Sequence, residues 1–213
     1  MYLSNTINSL IDNNKDKLIR RQWYSDLLCN LKNTFKDLKD LKFVIEKFDD
    51  FDQYMYSFSG LYDMHENKKY IVLNLSRKHK KFEMNSKMFK DFKFLLSQVI
   101  QHESIHQTQW SFRSEHKDPV TVDFRDNGMG MSKKEERIYL SDKDEIDAYG
   151  HDLLLEIKHY YPRTDPLKVL RYPLKYKKLT SFFIYNKTFK GVDWINIKKR
   201  LIRRAYRWNI KNV

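Results

Sequence analysis

His102-Glu103-Ser104-Ile105-His106 spells H-E-x-x-H inside a stretch whose apolar residues recur at helical spacing. Two histidines four residues apart on a helix lie on one face, one turn apart. Both imidazoles can then reach a single Zn²⁺ while the glutamate between them leans toward the water on that ion. Upstream, Met88, Phe92, Leu95, Leu96 and Val99 mark the inward-facing stripe of a helix predicted over roughly Ser86 to Phe112. The histidines extend that stripe, whereas Lys87, Lys90 and Lys93 take the solvated side. This arrangement is the one expected at the front end of a zinc hydrolase.

Two histidines do not hold zinc tightly, and a catalytic site takes three protein ligands and leaves one position for water. A metzincin extension would need glycine and histidine where the chain has Gln109 and Phe112, so that class is excluded. The gluzincin alternative draws its third ligand from a glutamate on a later helix. Ser141, with Asp144 three residues on, forms a capping-box-like start that puts Glu145 in the first turn of a helix running to about Tyr161. Glu145 is therefore the expected third ligand.

The combination H-E-x-x-H-x-x-Q, a spacer of about thirty residues, and Y-L-S-x-x-x-E-I-D-A-Y resembles the gluzincin-type metallopeptidases of tailed-phage and related viral genomes. The resemblance spans about Tyr70 to Tyr161. It implies an α+β, zincin-like fold with one Zn²⁺ on His102, His106 and Glu145, and Glu103 as general base and acid. One feature departs from the pattern: the acid expected four residues after the ligand glutamate is Tyr149, and the nearest acid is Asp147.

A cation held this way lowers the pKa of water toward ~7, and Glu103 would shuttle the proton to the leaving amine, which points to peptide-bond hydrolysis. Candidates for stabilising the oxyanion are Tyr149, one turn beyond Glu145, and His151, with His116 a weaker third. The β-rich run Tyr70 to Leu75 precedes the motif helix. As a sheet edge it would add an extended peptide strand through Leu73 and Asn74.

A chain of 213 residues can bury about 70% of its unfolded surface, so the metal is not needed to fold it. The sequence suggests one compact unit built from an N-terminal helical segment (1–40), a zincin-like catalytic core (41–161) and a basic helical extension (162–213). Within these, a helix is expected over about Asn5 to Asp37, interrupted near Asn13. Strands follow near Phe43 to Phe48, Tyr54 to Leu61 and Tyr70 to Leu75, in a small mixed or antiparallel sheet. The connection Ser114 to Tyr139, with Pro119 and Asn127-Gly128-Met129-Gly130, reads as a long loop suited to a lid.

Cys29 is the only cysteine, so no intramolecular disulfide forms. Met1 to Lys15 lacks the apolar core of a signal peptide, and the expected location is the host cytoplasm or the virion. The net charge is +13. Lys199, Arg200, Arg203 and Arg204 lie on an amphipathic terminal helix able to meet phosphate backbones or anionic membrane surfaces. A second reading follows from it: a basic nucleic-acid-binding virion or accessory protein whose zinc site is structural or vestigial, or a protease acting on DNA-bound proteins in the manner of SprT-like enzymes.

Overall fold

The computed structural model describes residues 2–50, 55–116 and 132–211. It is a mixed α+β chain, mostly helical, with two small sheets. Its contacts divide it into two units, Met1–Thr108 and Gln109–Val213, with the boundary inside one helix.

In the first unit, the N-terminal helical stretch breaks near Asn13 as expected, giving α1 (Tyr2–Asn13) and α2 (Lys15–Leu18). It breaks again at Arg21–Trp23, a short strand β1, before α3 (Tyr24–Thr34). Then come β2 (Leu41–Phe48), β3 (Ser57–Asp63), β4 (Lys68–Ser76), β5 (Lys81–Glu83) and the long α4 (Ser86–His116). β1 pairs antiparallel with β5, and β2, β4 and β3 form a mixed three-stranded sheet in that order. Between β3 and β4, Asn67 takes a left-handed conformation (φ 51°), which asparagine tolerates better than most residues. Ile7, Ile11 and Leu27 share one apolar core with Leu41, Ile71, Phe92 and Leu96. The first forty residues are thus part of the sheet's own core.

The second unit is helical: α5 (Lys133–Ser141), α6 (Lys143–Tyr160), α7 (Pro166–Arg171), α8 (Thr180–Thr188) and α9 (Gly191–Lys211). Pro166 starts α7 and Pro173 a single 3-10 turn, positions where a missing N–H is harmless. Leu153, Ile157, Phe182, Leu201 and Ala205 belong to its separate core. Gly150 makes the α6–α9 packing close, since a Cβ there would stand 3.1 Å from the backbone nitrogen of Ala205. Among the described residues no helix is long and apolar enough to cross a membrane.

Two expectations are corrected. The span Ser114 to Tyr139 is not a loop at its ends, because α4 runs to His116 and α5 begins at Lys133 behind a full Ser132/Glu135 capping box. Pro119, Asn127-Gly128-Met129-Gly130 and the lid assigned to them lie outside the described residues. The start of α6 is also capped differently: Asp142, not Ser141, accepts from the Asp144 N–H at 2.8 Å, while Ser141 donates to the Ile138 carbonyl. Glu145 still falls in the first turn.

Candidate metal centre

α4 buries a stripe through Phe89, Phe92, Leu96 and Ile100, and Glu103 continues it at 5% exposure. A carboxylate at that depth in a run of core positions is out of place energetically unless it is held for a purpose. His102 is nearly as buried, and its ring meets that of His106 edge to face with centroids 4.9 Å apart. Gln107, the next residue, ties this part of the helix to the sheet. Its amide donates to Asp40 Oδ2 (3.1 Å) and Asn67 Oδ1 (3.0 Å) and accepts from Lys69 Nζ (2.8 Å). Lys69 also meets Asp40 at 2.5 Å. Burial pushes the Asp40 carboxyl up, but the hydrogen bonds from Lys69 and Gln107 and the Lys69 charge together hold it below the usual carboxylate range.

Glu103 lies against β3. A Cβ built on Gly60 would stand 2.7 Å from its Cγ and Cδ, so only glycine leaves the carboxylate where it is. β3 is an edge of the three-stranded sheet.

The last turns of α4 hold the start of α6. Gln109 donates to the Asp144 carbonyl at 3.3 Å, and the buried Arg113 pairs with the Asp144 carboxylate. The residue after Asp144 is Glu145, itself 8% exposed. His102, His106 and Glu145 each offer a ligand atom, all within 4.8 Å of one another. Tetrahedral zinc with ligands at ~2.0–2.2 Å sets its donors about 3.4 Å apart, within reach of small side-chain rotations. This buried His-His-Glu group can bind a metal ion, and two imidazoles with one carboxylate suit a borderline cation.

Around Glu145, Tyr149 packs edge-on to the buried Tyr185 (5.4 Å between centroids). Burial pushes the Tyr185 phenol well above its ordinary pKa, with the Tyr149 and Glu145 charges adding to the effect. Tyr185 therefore stays a neutral neighbour of the carboxylate. Sequence alone did not single it out, since its only signal is an ordinary aromatic on an apolar face. The His151 ring lies 4.8 Å from that of Trp208, and its Nδ1 is 4.0 Å from Asp152 Oδ1. Asp147, the nearest acid to the missing position, is engaged on another side: its carbonyl accepts from Trp208 Nε1 and its carboxylate faces Arg204 at 3.7 Å.

The substrate strand requires correction. Tyr70 to Leu75 lies in β4, the middle strand, where Leu73 pairs with Ile45 on one side and Phe58 on the other, and Asn74 with Glu46 and Ser57. Leu73 is fully buried and Asn74 nearly so, and no side of that main chain remains for a peptide. The alternation that marks a strand does not tell an edge from a centre; the pairing does. Of the basic residues on α9, Lys199 and Arg203 line a groove against α7, whereas Arg204 faces Asp147 and its Cβ packs near Gly150.

Comparisons of the chain with known protein families, with curated proteins and with solved structures return no match.

Proposed function

We propose that this protein is a zinc-dependent endopeptidase, with His102, His106 and Glu145 as ligands and Glu103 as general base and acid. One observation carries the reading: the three donor atoms fall within 4.8 Å of one another. The buried Glu103, next to one of those ligands on α4, supports it. Three protein ligands are the complement of a catalytic zinc site rather than a closed structural one. When bound, the ion supplies Lewis acidity and brings the pKa of a water toward ~7.

The chain's own groups do the rest. Glu103 accepts the proton of the attacking water and returns it to the leaving amine. Its buried setting keeps bulk solvent from competing for that proton. β3, an edge strand with Gly60 against Glu103, receives an extended peptide by main-chain pairing and leads the scissile bond past the carboxylate. Tyr149, four residues from Glu145 and hence on its face, is the donor to the oxyanion. His151, six residues on and about 240° round the helix, takes no part.

The test is metal analysis together with cleavage of an internally quenched peptide library. Glu103→Gln is expected to keep about one zinc per chain and lose cleavage by about a thousandfold or more, in line with removal of a general base combined with altered electrostatics. His106→Ala is expected to lose both. Wild-type protein that takes up no zinc from a metal-replete preparation overturns the reading.

A further inference from the structure

The charge of this chain is confined. Residues 162–213 hold fifteen Lys and Arg against two acids, Asp165 and Asp193, while residues 1–161 balance twenty-six basic against twenty-six acidic residues. The whole net charge of +13 therefore belongs to the last quarter, which forms α7, α8 and α9. Local neutralisation is scarce there, and a field of one sign attracts a polyanion.

α9 carries two apolar stripes. Ile197, Leu201 and Ala205 are buried in the helical core, with Trp194 partly so. Ile195, Ile202 and Tyr206 form the second, which together with Leu167 and Leu170 of α7 floors a groove of about 690 Å³. Leu167, Ile195 and Tyr206 are each more than 40% exposed. Arg171, Lys198, Lys199 and Arg203 rim this groove, and among the described residues no acidic one lines it. An apolar floor with an open aromatic ring, edged by cations, is complementary to a strand whose flat apolar bases point one way and whose phosphates point the other.

We propose that the α7–α9 groove binds single-stranded nucleic acid, with a base stacked on Tyr206 and phosphates on Lys199, Arg203 and their neighbours. Duplex DNA or RNA offers the phosphates but keeps its bases stacked away from Tyr206 and the apolar floor. An anionic bilayer favours a convex apolar face over a concave one. The inference is independent of the peptidase reading.

The test is fluorescence anisotropy of the full chain with a labelled 20-nucleotide oligothymidylate, its RNA counterpart, a duplex of equal length, polyglutamate, and phosphatidylserine vesicles, over a salt series. Expected is preference for the single strands, with log affinity falling against log salt at a slope of about −3 for four phosphate contacts. Tyr206→Ala is expected to weaken binding about tenfold and Tyr206→Phe to leave it near the parent, because stacking needs the ring and not the hydroxyl. Lys199→Glu with Arg203→Glu should weaken it further. These positions are exposed, so unchanged thermal unfolding is the control. Equal affinity for the duplex or polyglutamate with no effect of Tyr206→Ala, binding to vesicles alone, or no binding at 50 mM salt each overturns the proposal.

Discussion

Gly60 and Glu103 constrain one another. A methyl group at position 60 would meet the flexible end of the Glu103 side chain rather than any backbone, so the carboxylate is what moves. Gly60→Ala should therefore leave the fold and zinc content intact while lowering kcat about a hundredfold, the usual effect of an ångström of misplacement at a reacting group. Measuring both on one preparation separates this from a folding defect, and an unchanged kcat removes Gly60 from the argument. Asp40 makes a prediction of a different kind. Its folded pKa is depressed by Lys69 and Gln107 against the opposing effect of burial. The pairing thus stabilises the protein above the unfolded-state pKa of about 3.9, and the benefit is lost as pH falls through that value toward the folded one. Asp40→Asn should be less stable than the parent at pH 7, because Lys69 remains buried. Its urea midpoint should decline less between pH 5 and pH 3.

At the scale of elements, Gly150 lies in α6 where α9 crosses it. Alanine is the better helix former by about 1 kcal/mol, but its Cβ would stand 2.6 Å from the Arg204 Cβ and close to the α9 backbone. Overpacking against a neighbouring helix costs about 1–3 kcal/mol, so Gly150→Ala should destabilise by up to about 2 kcal/mol net in urea unfolding; stabilisation would mean that α9 yields freely. That contact could not be read from sequence, where Gly150 looks like a weak point in a helix. What could be read was local. The period of Met88, Phe92 and Leu96 marks α4, and Asp144 three residues after Ser141 marks the first turn of α6 that holds Glu145. What could not be read was the pairing of distant segments. β4 as the central strand, β1 with β5 inside an apparently helical stretch, and Asp142 rather than Ser141 as the cap all depend on partners that alternation and propensity do not specify. That His102 and His106 lie one turn apart on a helix could be read, because that geometry is contained in one turn. Glu145 needed the further fact that Arg113 and Gln109 hold the residue beside it.

For the whole molecule, each unit has an apolar core of its own, one around Ile71, Phe92 and Leu96 and one around Leu153, Phe182 and Leu201. Each core is built from its own aliphatic and aromatic side chains, so the fold does not need an ion in the way a small zinc module does. Chelation should leave the far-ultraviolet circular dichroism of the protein unchanged. An ion that binds only the folded state nonetheless stabilises it by mass action, about 2.7 kcal/mol at a hundred times its dissociation constant. For a chain of this size that corresponds to a rise in Tm of about 5–10 °C. Zinc added to chelator-treated protein should produce that rise in differential scanning calorimetry. Glu103→Gln should show it in full, since Glu103 lies outside the proposed ligand set, whereas Glu145→Ala should lose most of it. A rise that survives Glu145→Ala would mean that the cation sits elsewhere, and the ligand set built from α4 and α6 would have to be abandoned even if cleavage were observed.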